Sequence, residues 1–141
     1  PRPAKVFING KEVKFSSKTL LGEMYLEMDI LDFLKAVGLE CKYNEKTKEI
    51  TAGEYIIRFE SDEECKEVCE RYEEFIESAP EYDIFFTMPQ YKNSPSRYAV
   101  YRNGRYLGSK SFMESLSSNL GYEIEYHYDD CSVRINKKEQ K

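Results

Sequence analysis

The run His127 to Cys131 places an imidazole, two carboxylates and a thiol within five residues. Two chemistries use such a set: transition-metal ligation and a Cys-His nucleophile. His127 is the chain's single histidine and tryptophan is absent, which excludes sites needing two or three imidazoles, among them the common catalytic zinc and type-2 copper centres. A nucleophile needs a base oriented by a third group in a dry pocket, and an internal repeat, set out below, puts His127 at the hairpin turn equivalent to Asn44 to Lys48, open to water. Asp129 and Asp130 fall short of the roughly six to eight oxygens that calcium takes. The expectation is an exposed turn histidine with no metal.

The remaining candidates point the same way. Residues 61–78 carry eight acids (Asp62, Glu63, Glu64, Glu67, Glu70, Glu73, Glu74, Glu77) against Lys66 and Arg71, but their helical spacing puts most on a solvated face, where nothing raises a carboxyl pKa for acid-base work. No Gly-rich phosphate loop, G-x-S-x-G elbow or H-E-x-x-H string occurs. No catalytic residue and no cofactor are assigned, and an enzyme is not expected. Cys65 and Cys69 lie four apart on a helix with parallel side chains, so they do not pair; buried thiols are expected, with a Cys41–Cys131 bridge left open. Eight of twelve tyrosines fall from residue 82 onward. Tyrosine suits both half-buried strands and binding surfaces. In the apolar stretch 82–88 and the turn-rich segment after it, Tyr82, Phe85, Phe86, Tyr91 and Tyr98 are the candidate binding surface, which also allows a homodimer.

The elements that position these residues follow from patterning. At 141 residues, 33% charged, 40% hydrophobic and net −5, the chain is expected to be a soluble globular module with no membrane span; its acidity argues against a nucleic-acid partner. Val6-Phe7-Ile8-Asn9-Gly10-Lys11-Glu12-Val13 and the run 99–107 around Asn103-Gly104 are apolar stretches broken by Asn-Gly, the strongest short hairpin signal. Ile30, Leu31, Phe33, Leu34 and Val37 recur at helical spacing between a capping Asp29 and a stopping Gly38. Met113, Leu116 and Leu120 before Gly121 repeat the pattern as a shorter helix opened by Ser109 or Ser111. Strands follow at 39–43, 48–51 and 55–59, and a second hairpin over 122–135 turns near Tyr128 to Asp130. Between the copies, Ser61-Asp62-Glu63-Glu64 is a capping box for a helix whose stripe is Cys65, Val68, Cys69, Tyr72, Phe75 and Ile76. The expected fold is α+β: two repeated antiparallel hairpin-helix-hairpin units with an intervening amphipathic helix, divided as 1–60, 61–98 and 99–141 and packed as one globular domain.

The first copy, with Leu20-Leu21-Gly22-Glu23-Met24-Tyr25-Leu26, the helix, and 38–51, resembles the copper amine oxidase N-terminal-like domain over residues 4–59, with a weaker copy over 99–136. Where that family carries Arg-Thr and Val-Pro pairs, this chain has Glu23-Met24 and Leu26-Glu27, so that loop is rewritten. The resemblance implies a non-catalytic interaction or spacer module of a secreted or cell-surface bacterial protein, contacting protein, cell wall or polysaccharide. It does not imply amine oxidation, which uses three copper-binding histidines and a modified tyrosine in a separate domain. The alternative is a small self-contained, cytoplasmic protein that sequesters a ligand or inhibits a partner. With Pro1 in place of Met, the chain is expected to be a processed or recombinant fragment, and location is not readable from its start.

Overall fold

The computed structural model describes residues 1–44, 46–47, 49–59, 82–87, 96–102 and 105–139, with backbone alone at 58–59, 82–87, 96–98 and 100–102. These residues form two compact units, 1–37 with 108–141, and 38–107.

In the first unit, β1 (Arg2–Ile8) is the organising strand. Val6 and Ile8 are buried and the intervening residue is not, as period-2 alternation requires. Asn9 (φ 51°) and Gly10 (φ 82°) both sit at positive φ, the condition for a tight hairpin that only Gly and Asn meet cheaply, and β2 (Lys11–Val13) returns antiparallel with Ile8 opposite Lys11. β3 (Thr19–Gly22) then takes over the same edge of β1, pairing Ala4 with Thr19, and turns into β4 (Tyr25–Asp29). Helix α1 (Ile30–Ala36) starts where expected: the Asp29 carboxylate accepts the Asp32 amide at 2.9 Å. It ends at Gly38, and α2 (Lys110–Asn119) ends at Gly121. At ten residues α2 is the longer helix, not the shorter. β11 (Tyr122–His127) and β12 (Ser132–Lys137) form the expected hairpin. β12 then pairs in parallel with β1, from Lys5 opposite Ser132 to Ile8 opposite Ile135.

Val6, Ile8, Leu21, Leu26, Met28, Ile30, Phe33, Leu34, Phe112, Met113, Leu116, Val133 and Ile135 make this unit's core. Each large side chain removed from water contributes about 1.5–3 kcal/mol. Packing at the start of α2 leaves no room for a side chain at residue 108: a Cβ there would lie 2.5 Å from the buried Met113 Sδ and 2.8 Å from Phe112 Cδ1. Any larger residue at that position requires the buried Met113 and Phe112 side chains to shift.

The second unit is an antiparallel meander of β5 (Cys41–Asn44), β6 (Glu49–Ala52), β7 (Tyr55–Phe59), β8 (Tyr82–Thr87) and β9 (Ser96–Arg102), each paired with the next, followed by β10 (Arg105–Ser109) beside β9. Asn44 Oδ1 accepts the amides of Lys46 (2.9 Å) and Thr47 (3.2 Å) and so closes the polar turn after β5. Ile50 and Ile57, opposite one another, are fully buried.

This architecture overturns the expected α+β fold of two repeated hairpin-helix-hairpin units. Among the described residues strands dominate, twelve against two helices. The copies are not equivalent either: after α1 the β5–β6 hairpin runs on antiparallel into β7, whereas after α2 the β11–β12 hairpin attaches in parallel to β1. The physical reason is size. A helix of seven residues, roughly 10 Å long, cannot cover the apolar face of a four-strand set, so the hairpins bury their edges and faces by adding strands. The stretch 19–29, read in sequence only as a rewritten loop, is itself the β3–β4 hairpin. The helix expected over 61–78, with Cys65 and Cys69, lies outside the described residues. Cys41 and Cys131 form no disulfide among the described residues.

Candidate functional site

Two turns of the first unit meet. The β3–β4 hairpin closes through Glu23-Met24, with Gly22 opposite Tyr25. The β11–β12 hairpin closes through Tyr128 to Cys131, with Cys131 at φ 50°. The Tyr128 hydroxyl donates to the Glu23 carbonyl at 3.2 Å, and Arg2 Nη2 donates to the Tyr128 carbonyl at 3.1 Å. The Lys5 amide donates to the Cys131 carbonyl at 3.1 Å, and Cys131 Sγ donates to the Pro3 carbonyl at 3.3 Å. β1 thus anchors both turns.

Their junction carries Met24 (84% exposed), Tyr25 (41%) and Tyr128 (45%), the exposed large apolar side chains of the described residues. Scattered singly they would be unremarked; three at one tip form a patch of the kind that marks interaction sites. The rings are held in place. Tyr25 donates its hydroxyl to Glu27 Oε2 at 2.6 Å, Tyr128 is tied to Glu23, and the Tyr126 ring lies 6.5 Å from that of Tyr128. Tyr126 is itself fixed by donating to Glu114 Oε2 at 2.7 Å, with Lys110 Nζ 5.2 Å from its ring centre and 3.4 Å from Glu114. Ordering two tyrosines before binding lowers the entropy cost of a contact. Around them the acids Glu23, Glu27, Asp129 and Asp130 outnumber the cations Arg2 and Arg134.

The neighbouring polar residues are engaged among themselves. His127, at the end of β11, has Nε2 3.3 Å from Glu125 Oε2. Asp130 accepts the Ser132 hydroxyl at 2.7 Å and Arg134 at 3.4 Å. The Ser132 bond foremost, outweighing partial desolvation and aided by Arg134 and His127, holds the Asp130 carboxyl below the usual carboxylate range. Ligand atoms of His127, Asp129 and Asp130 lie within 4.8 Å of one another. An ion there would have to take Asp130 from Ser132 and Arg134 in open water, so the arrangement favours hydrogen bonding over chelation.

Burial, then the hydrogen bond to and charge of Glu114, push the Tyr126 phenol far above its ordinary range, and burial followed by Glu54 raises Tyr55. The native state holds these protons more tightly than the unfolded chain does. Their contribution is therefore complete below pH ~10 and declines as pH rises above it. Urea midpoints at pH 8 and pH 10.5 should show this fall, and Tyr126→Phe should make it shallower.

Of the residues chosen from sequence, Tyr82, Phe85 and Phe86 lie on β8, opposite Tyr101, Arg58 and Ile57, and Tyr98 lies on β9. Their side chains, and Tyr91 entirely, are outside the described residues. Met24, Tyr25 and Tyr128 were not chosen. The signal that pointed toward them was the rewritten Glu23-Met24, an apolar side chain in a two-residue turn that has no local use for it. Compared with protein-family models, curated proteins and solved structures, the chain matches none.

Proposed function

We propose that this chain is a non-catalytic interaction module of a secreted or cell-surface bacterial protein, a degenerate relative of the copper amine oxidase N-terminal-like domain, which docks a protein partner through the tip formed by Met24, Tyr25 and Tyr128. The observation that carries the reading is the convergence of the exposed large apolar side chains on one pre-ordered, acid-rimmed point. The acidic rim selects a partner surface that is apolar at its centre and basic around it. It also disfavours a symmetric pairing of two tips, since a two-fold contact would bring the same acids together.

The test is saturable binding of labelled protein to the surface of the source cells. Unlabelled protein should compete and the Met24→Ser/Tyr25→Ser variant should not, while the variant's stability stays within about 0.5 kcal/mol of the parent, as for exposed positions. Competition that survives this variant but is lost in Phe85→Ser/Phe86→Ser would place the surface at residues 82–98 instead. Light scattering that shows a dimer dissociated by Met24→Ser would make a second copy the occupant.

A further inference from the structure

Independently of the tip, the same unit has a concave feature. β1 pairs with β3 as far as Ala4 and with β2 from Val6 onward, and residues 14–18 span the gap where it changes partner. A groove of about 190 Å³ opens there, lined by Lys5, Glu12, Lys14, Phe15, Ser17 and Lys18 together with strand residues. Residues 1–18 hold five cations against the single acid Glu12, in a protein whose net charge is −5. None of the three groove lysines has an ion-pair partner among the described residues. Of the nearby carboxylates, Glu12 lines the groove itself without an ion pair to these lysines, and Asp32 is taken up at the start of α1, where it accepts both the amide and the hydroxyl of Ser16. Those two hydrogen bonds pin the loop, and Ser17 lines the groove with its hydroxyl oxygen buried and without a hydrogen-bond partner among the described residues. A buried, unsatisfied hydroxyl beside unpaired ammonium groups is a cost unless a ligand oxygen completes it.

We infer that this groove binds an anionic polysaccharide, one acidic substituent among Lys5, Lys14 and Lys18 and a ligand oxygen on Ser17. Lysines are point charges without the planar fork of arginine, so they select charge over stereochemistry. An open groove suits a chain lying across it better than a small molecule needing enclosure. Nucleic acid is the poorer match because the half-buried Phe15 is the groove's lone aromatic, where strand binding uses a series of stacking rings. The protein's overall charge opposes nucleic acid and acidic polysaccharide alike, so a polyanion that does bind must be held locally.

The experiment titrates full-length protein with a fluorescent heparin oligosaccharide at 50–200 mM NaCl, with neutral dextran and a 15-mer of thymidylate as parallel arms. The expected result is saturable heparin binding with a log-log salt slope of about −2 to −3, one unit per neutralised lysine. Lys14→Ala/Lys18→Ala should weaken it roughly tenfold or more and reduce the slope by about 2. Ser17→Ala should weaken it without changing the slope, and Lys42→Ala/Lys46→Ala, on the other unit, should have no effect. Unchanged thermal midpoints show that the variants are folded. Absence of saturable heparin binding, equal loss from both lysine pairs, or thymidylate binding as tight as heparin would each overturn the assignment.

Discussion

Ending the chain at Gly121 is expected to abolish the fold of the unit built from residues 1–37 and 108–141, although every residue of β1 to β4 and both helices is retained. β12 supplies the parallel partner of β1 over Lys5 to Ile8. It also supplies the Ile135 carbonyl that accepts the Asn9 amide at 2.8 Å and the Lys137 amide that donates to Asn9 Oδ1 at 2.8 Å, so the first hairpin turn depends on it. Val133 and Ile135 are fully buried. Their loss removes about 1.5–3 kcal/mol each and uncovers the edge of β1 where the buried Val6 and Ile8 stand opposite them. A domain's total stability is only about 5–15 kcal/mol, so the deletion exceeds what the unit can absorb. The truncated chain should lose the dispersed amide resonances of residues 2–29 and any cooperative urea transition assigned to them. A transition with the parent midpoint would show that β12 is an accessory strand.

Phe112→Ala should be among the most damaging single substitutions in the same unit. The ring is 1% exposed, at the start of α2 and against the position where Gly108 permits close approach. Truncating it leaves a cavity beside a chain segment already packed to contact, and the cost is about 3–5 kcal/mol. A unit of this size loses roughly 4–8 °C in thermal midpoint per kcal/mol. Phe112→Leu, which keeps most of the volume, should recover the larger part. Set beside the near-silent Met24→Ser, the pair separates what the molecule needs in order to fold from what it presents to a partner.

What the amino-acid sequence determined by itself was local. Asn9-Gly10 sets a tight hairpin because both central positions require positive φ, and both have it. Asp29 starts α1 by capping, Gly38 and Gly121 stop the helices, and the strand at 55–59 and the turn after His127 lie where alternation and turn chemistry put them. His127, expected as an exposed turn residue, is instead the half-buried last residue of β11, paired with Ser132 just before that turn. Partnership between elements was not legible. That β12 joins β1, across about 127 residues of chain, and that β5–β6 extends a meander instead of folding under α1, depend on which edges and apolar faces remain uncovered once short helices have done what they can. The candidate sites share that origin. Glu23-Met24 could be noticed as a departure, but its meeting with Tyr128 exists only because β1 brings two hairpin turns together. The lysine groove exists only because β1 changes partner between Ala4 and Val6. Turns, caps and alternation are set by neighbours in sequence; strand pairing is a competition among all edges at once, and only the folded chain decides it.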